Sequence, residues 1–299
     1  MKKNIRFIVN PIAGGIKKKN LPELIEAYLD KDKFQYSIVY TERVGHATQL
    51  ANDAVNKNVD IIVAVGGDGS INEIAKAIVN CEIVLAIIPL GSGNALAHHL
   101  KLPVKNIKKA IGVINSGKQI QIDTLSSNNG EVVCFAGIGL EAIAARTYRH
   151  LRSRGFLAYV WAAILSIFFK YKPQKVEFEI DGHLREEEVY MFTVYNARFL
   201  GYKIAKVEQV SLVDGLMHMV IIKTFAMWKL PWIAILELTG KIHLAQEAEI
   251  IAAKKLKIHL PKKAQAQLDG DSFITSSAFE IQVNALSLNL IVPSTTENY

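Results

Sequence analysis

The chain of 299 residues holds two cysteines, Cys81 and Cys134, each set in an apolar stretch. That scarcity excludes a disulfide scaffold, and with no CxxC or Cys/His cluster a structural zinc site is excluded too. Two buried free thiols in a reducing compartment are the expectation. Long apolar runs are missing as well. The best candidate, "GFLAYVWAAILSIFFKYKP" from Gly155 to Pro173, has an apolar part (Phe156 to Phe169) shorter than the roughly 18–20 residues that span a bilayer. A buried helix of a soluble domain is the favoured reading, and a lipid-facing helix is its rival. The opening "MKKNIRFIVNP" is basic and then apolar, but the apolar part is too short for a secretory segment and no small-residue cleavage site follows. Cytoplasmic residence is expected. Charge of one sign is only mildly lacking: 35 basic against 28 acidic side chains leave a formal +7. Such an excess suits a phosphate-bearing ligand or an anionic membrane surface, and it equally fits proteins with neither; nucleic acid is not an expected partner. The standard phosphate and nucleophile motifs are absent. There is no GxxxxGK[ST], no kinase HRD or DFG, no GxGxxG and no GxSxG elbow.

What is present is a rhythm. "IRFIVNP", "QYSIVYTE", "VDIIVAVGG" and "IVLAIIPLG" read as strands, the last two as continuous apolar runs buried on both faces. Between them "LPELIEAYLDKD", "HATQLANDAVNKN" and "SINEIAKAIVN" carry helical spacing. This β-α-β-α-β-α-β order predicts a doubly wound, mostly parallel sheet whose ligands bind beyond the carboxyl ends of the strands. From about Asp123 the pattern changes. One helical stretch, roughly 140–170, is followed by short strands with Gly and Asn turns, interrupted by the helical "FAMWKLPWIAILELTGKI". A β-rich second domain, sandwich or barrel, is predicted. The expected division is 1–122 and 123–299, the last residues returning to the first domain.

Three glycine-rich stretches fall at strand ends: "NPIAGG", "GGDGS" and "PLGSGN". Glycine permits close approach of a ligand to the backbone, and successive N–H groups at a helix start make an anion cradle. Ser70 and Glu73 also have the spacing of a capping box, so a purely structural reading stands beside the functional one. Asp68, between glycines at a strand end, is poorly placed for packing and well placed to meet Mg²⁺ or accept a proton. His98 and His99 are adjacent, so they are no metal pair on a helix, and surface positions are expected for both. "LDGDSF" reads by itself as a hairpin turn.

"VNPIAGG", "GGDGSINEI" and "PLGSGNALA", in that order and spacing, resemble the catalytic domain of the diacylglycerol kinase and sphingosine kinase family, within the superfamily that includes NAD kinases. "RGFLAYVW", "YNARFLGYKIAKVEQVSLVDGLMHMVII" and "QLDGDSF" continue the resemblance through the second half. It implies ATP-dependent phosphorylation of a lipid hydroxyl, diacylglycerol or a sphingoid-type alcohol, with the active site in the cleft between an ATP domain and a lipid domain. It places Asn10, Gly14, Gly15, Thr41, Gly66, Gly67, Gly69, Ser70, Asn72, Glu73, Gly91, Ser92 and Asn94 about the nucleotide, and links Asp68 to phosphates and Mg²⁺. Asp271 stands where the family has the glutamate proposed as base, one methylene shorter, and it is also a candidate metal ligand. Asp214 matches the first carboxylate of the family's structural Mg²⁺ site. His218 replaces the second, and hard Mg²⁺ prefers oxygen, so that metal is expected to be weak or absent. The two large apolar stretches are each expected to be core. The rival is peripheral contact with an anionic membrane, through the basic residues 152–154 and 170–172 flanking the first. Other readings are an NAD kinase, against which "GSGNALAHHL" and "LVDGLMHMV" argue, and a nucleotide- or lipid-binding protein with impaired catalysis, for which only Asp271 speaks.

Overall fold

The computed structural model describes residues 2–15, 20–150, 161–162, 165–166, 173–199, 207, 209–260, 263–275 and 278–296. "RGFLAYVW", the basic residues at 152–154 and 170–172, and most of the stretch after His150 therefore lie largely outside the described residues. The chain forms two compact units, Met1–Asp123 with Ala285–Tyr299, and Thr124–Asn284.

The first unit is built on strands β1 (Lys3–Val9), β2 (Phe34–Tyr40), β3 (Ile61–Gly66) and β4 (Val84–Pro89), separated by helices α1 (Leu21–Tyr28), α2 (His46–Asn56) and α3 (Asp68–Ala77). The sheet order is β4-β3-β1-β2, and every pair is parallel. β3 and β4 are buried along their whole length. Both faces are covered by helices, which is why their sequences are continuous apolar runs rather than alternating ones. α1 turns Leu21 and Ile25 onto Phe7, Val63 and Ile88, and Pro22 sits in its first turn, where no N–H is needed. Each such side chain removed from water contributes about 1.5–3 kcal/mol. Helices α4 (Ala95–His99) and α5 (Ile107–Ser116) follow β4. The final strand, β15 (Ala278–Val292), returns its last residues to this sheet, pairing Asn289 and Leu290 in parallel with Val84 and Leu85 of β4. His99 is buried and His98 half-buried, which corrects the surface expectation for His99: adjacent residues on a helix point in different directions. Cys134 is buried and Cys81 only half-buried, because Cys81 lies in the turn before β4; neither forms a disulfide.

After α5, β5 (Lys118–Ser127) pairs antiparallel with β6 (Gly130–Val132). The second unit holds β7 (Phe135–Gly139), β8 (Gln174–Ile180), β9 (His183–Tyr195), β12 (Lys255–His259), β13 (Ala264–Leu268) and β14 (Asp271–Thr275), antiparallel in the order β14-β13-β7-β9-β8-β12 and on to the first residues of β15. β10 (Met217–Lys223) pairs with β9 and with β11 (Ala248–Ala253), while helix α6 (Leu140–His150) follows β7. Phe178 and Phe192 meet edge to face at 5.1 Å in the core, with Ile258 and Phe279 in the same cluster. Together the units are the α/β plus β-sandwich-like architecture that the strand rhythm predicts.

Helix α7 (Leu230–Leu238) corrects the expectation that "FAMWKLPWIAILEL" is simply core. Ile233 and Leu236 are buried against Tyr195, Val220 and Ile222. Trp232 and Ile235 of this helix, and Trp228 in the 3-10 turn just before it, are instead 57%, 53% and 77% exposed. A helix apolar on all sides is usually surrounded by protein; among the described residues this one is covered on one side. Among the described residues, no helix is long and apolar enough to cross a membrane.

Candidate active site

In the first unit, β1, β3 and β4 are neighbours, so the segments leaving their carboxyl ends lie side by side. Backbone bonds carry the pairing one residue further: Asn10 N–H to Val65 O at 2.9 Å, Thr41 N–H to Val9 O at 2.9 Å, and Leu90 N–H to Gly66 O at 2.7 Å. The "GGDGS" bend is extremely tight. α3 starts at Asp68, two residues after β3 ends, with Gly67 as its cap residue.

In these loops glycine is required by contact at Gly14 and at Gly91. A Cβ at Gly14, whose φ is +67°, would lie 1.7 Å from the Leu90 carbonyl oxygen, and one at Gly91 would lie 2.4 Å from the Gly67 Cα. The three loops therefore touch through bare backbone. Gly69 differs. It lies exposed in the first turn of α3 with helical backbone, and a Cβ there would meet nothing within 4 Å. Among the described residues nothing asks for glycine at 69, and alanine would favour the helix.

Asp68 is not an idle carboxylate. Its Oδ2 accepts the Asn94 N–H at 2.7 Å and its Oδ1 the Ala95 N–H at 2.6 Å. It ties α3 to the start of α4, which corrects the view that the aspartate is poorly placed for packing. Asn94 is buried in the left-handed region at φ 54°. Its side chain closes the Gly91–Asn94 bend, Oδ1 accepting the Gly91 N–H at 2.9 Å and Nδ2 donating to Gly91 O at 2.8 Å. Ser92, within that bend, is exposed.

The capping-box expectation is also corrected. Because α3 begins at Asp68, Ser70 lies inside the helix and caps nothing. Its hydroxyl instead accepts from Asn10 Nδ2 at 3.0 Å, while Asn10 Oδ1 accepts the Ile12 N–H at 3.1 Å. Glu73 reaches the neighbouring helix, accepting the Gly45 N–H at 3.0 Å and the Ala47 N–H at 3.2 Å, so it caps α2. Thr41 and Asn72 are buried. Gly15 has φ +64°, and among the described residues nothing lies within 4 Å of its missing Cβ. The structure thus brings together Asn10, Gly14, Gly66, Gly67, Asp68, Ser70, Gly91 and Asn94 directly, and turns Glu73 toward the loop that follows Thr41.

In the second unit, Leu268 pairs with Asp271 across a two-residue turn, Asp269-Gly270, with φ of +51° and +86°. This is the positive-φ pair that a tight Asp-Gly hairpin needs. Asp271 opens β14 and is solvent-exposed. Asp269 was legible only as turn chemistry, yet its carboxylate accepts three backbone N–H groups, from Val133, Cys134 and Phe135. Asp214 Oδ1 accepts the Leu216 N–H at 3.0 Å, and Oδ2 lies 3.2 Å from His218 Nε2. Both oxygens are engaged locally, so this pair does not fit a structural Mg²⁺. Among the described residues no three His, Cys, Asp or Glu side chains converge as a metal cluster.

The family model described as "Diacylglycerol kinase catalytic domain" matches residues 4–127, and that described as "YegS C-terminal NAD kinase beta sandwich-like domain" matches residues 134–292, more than half of the chain. The chain belongs to the diacylglycerol kinase catalytic-domain family. It is thereby a lipid kinase. A diacylglycerol kinase of Bacillus subtilis is 29% identical to this kinase over 274 residues, 90% of each chain. One from Staphylococcus aureus is 27% identical over 276 residues, 91% of this chain and 87% of its own. A crystal structure of a putative diacylglycerol kinase from Bacillus anthracis superposes with a TM-score of 0.79 at 22% identity, over 97% of both chains. An NAD kinase from Archaeoglobus fulgidus in complex with ATP shares the fold of this kinase at a TM-score of 0.56 and 14% identity, over 96% of this chain and 93% of its own.

Proposed function

We propose that this kinase transfers the γ-phosphoryl group of ATP to the hydroxyl of diacylglycerol. The observation that carries the nucleotide half is Gly69, whose missing Cβ would meet nothing among the described residues, in the first turn of α3 beside the touching loops. A triphosphate fits there because a helix N-terminus points backbone N–H groups outward and its dipole favours negative charge. Asn10, Ser70, Gly15 and Ser92 border that space, and Thr41, Asn72 and Glu73 support it from the side. When bound, ATP supplies the phosphoryl group and Mg²⁺ spreads its negative charge. Asp68 fits a metal only through what its two oxygens have left, since each already accepts one N–H; contact through water suits it better than direct ligation. Asp271 is the group that takes the proton from the acceptor hydroxyl. Backbone N–H groups at the start of α3 hold the charge that develops on the transferred group. The acceptor is inferred from what the bacterial relatives are named for, with a sphingoid base as the comparison substrate.

Peripheral membrane contact belongs to the same reading. A lipid kinase meets its substrate at a bilayer, and Trp228, Trp232 and Ile235 present an amphipathic aromatic face of the type favoured at that boundary. Nearby Lys223 is paired with Glu187 and Glu249, and Lys229 with Glu247. Apolar burial, rather than charge, would lead such contact.

The test is phosphate transfer from labelled ATP with diacylglycerol, a sphingoid base and NAD offered in parallel. Labelled phosphatidate is expected. Labelling of NAD alone, or of no lipid, overturns the proposal.

A further inference from the structure

We infer that Asp269 is a positioning residue that aims Asp271, an inference that rests on the reading of Asp271 as the base. An Asp-Gly turn closes a two-residue hairpin unaided. Here the turn is held far more firmly than closure needs. Asp269 Oδ1 accepts the Cys134 N–H at 2.7 Å and the Phe135 N–H at 3.1 Å, and Oδ2 accepts the Val133 N–H at 3.0 Å. The Asp269 N–H donates back to Phe135 O at 2.8 Å. From inside the strand, Gln267, almost wholly buried, accepts the Gly270 N–H through Oε1 at 2.8 Å.

The anchor is itself anchored. Asn196 and Ala197 donate their backbone N–H groups to Cys134 O at 2.8 and 2.9 Å, and Asn196 Nδ2 donates to Val133 O at 2.8 Å. A continuous set of bonds therefore runs from the end of β9, through residues 133–135, to the carboxylate of Asp269. Asp271 follows two residues later. Hydrogen bonds to an ionised acceptor are roughly twice as strong as neutral ones. Three of them from consecutive N–H groups fix both the position and the tilt of the turn. The reach of Asp271 is one methylene less than that of glutamate, so it depends more on where its backbone is held.

The experiment is a double-mutant cycle on the full chain, with kcat and the KM for ATP measured for Asp269→Asn, Asp271→Asn and the pair. Asparagine tolerates the positive φ and keeps one acceptor oxygen, but it loses the charge and turns a donor toward the Val133 N–H. Asp269→Asn is expected to lower kcat by roughly 10–100-fold, the scale of a displaced catalytic group, with the KM for ATP within about twofold. In the Asp271→Asn background the same change is expected to cost under about threefold, because the group it aims is gone. An equal loss in both backgrounds, or kcat within about twofold of wild type for Asp269→Asn, overturns the inference alone. Full activity of Asp271→Asn removes the base assignment and the inference with it. If Asp269→Asn fails to fold, Gln267→Met removes only the Gly270 bond; a drop of roughly 3–10-fold in kcat at unchanged KM is then expected, and unchanged kcat overturns the inference.

Discussion

Gly69→Ala separates the ligand from the fold. Position 69 has helical backbone in the first turn of α3, and its new methyl would meet no atom within 4 Å. Two effects then act in opposite directions. In the free protein, alanine replaces glycine in a helix without strain and limits the unfolded chain, which stabilises by about 0.4–1 kcal/mol. For a protein of this size that corresponds to a rise in Tm of roughly 1–4 °C. In the complex, the methyl occupies the space through which a phosphate would approach the N–H groups. Losing one charge-assisted hydrogen bond there costs about 1.5–3 kcal/mol, or roughly 10–150-fold in affinity. Thermal unfolding without nucleotide and calorimetric titration with ATP read the two effects independently. A variant that is more stable yet binds ATP at least about tenfold more weakly is the expected result. Affinity within about twofold of wild type would refute the reasoning, because the open side of Gly69 would then serve nothing that ATP uses.

Gly14→Ala should show the opposite behaviour: with φ at +67° and the Leu90 oxygen 1.7 Å from the new Cβ, it should lose at least about 2 kcal/mol in chemical denaturation, and unchanged stability would contradict the contact. The double change Trp228→Ala with Trp232→Ala should reduce flotation with phosphatidylcholine–phosphatidylglycerol vesicles about tenfold while sparing turnover of a short-chain soluble diacylglycerol; equal flotation would exclude this face as the membrane contact. The ion pair of Arg185 with Glu249, Nη1 to Oε1 at 2.8 Å, predicts an acid limb of stability. The Arg185 hydrogen bond holds the Glu249 carboxyl below its ordinary value, and burial opposes it. A depressed folded pKa gives stability that is full above the unfolded value near 4.3 and lost as pH falls through the folded one. Between pH 5 and 3, wild type should lose Tm more steeply than Arg185→Met in scanning calorimetry; parallel slopes would show that the pair contributes nothing.

The elements that were legible in sequence are those whose reasons are local. Ile61–Gly66 and Val84–Pro89 are apolar without a break because both faces are covered, and no other placement suits such runs. Asp269-Gly270 declared a hairpin because few residues accept two positive φ angles in succession. The partners of polar side chains were not legible. Ser70 and Glu73 have capping-box spacing, but α3 starts three residues earlier than that spacing implies, so Ser70 turns to Asn10, and Glu73 to α2. Helix α7 looks like core by composition, yet among its described residues Ile233 and Leu236 are the buried ones.

By itself, then, the sequence determined the strand and helix order, the placing of glycines at strand ends, and the family. Each depends on periodicity or on backbone freedom, which are written into single residues and their near neighbours. Only the tertiary structure decided what the carboxylates do. Asp68 spans to α4, 26 and 27 residues away, and Asp269 to residues 133–135, more than 130 away. A hydrogen bond between groups so distant in the chain depends on how the sheets are ordered, and no local pattern encodes it.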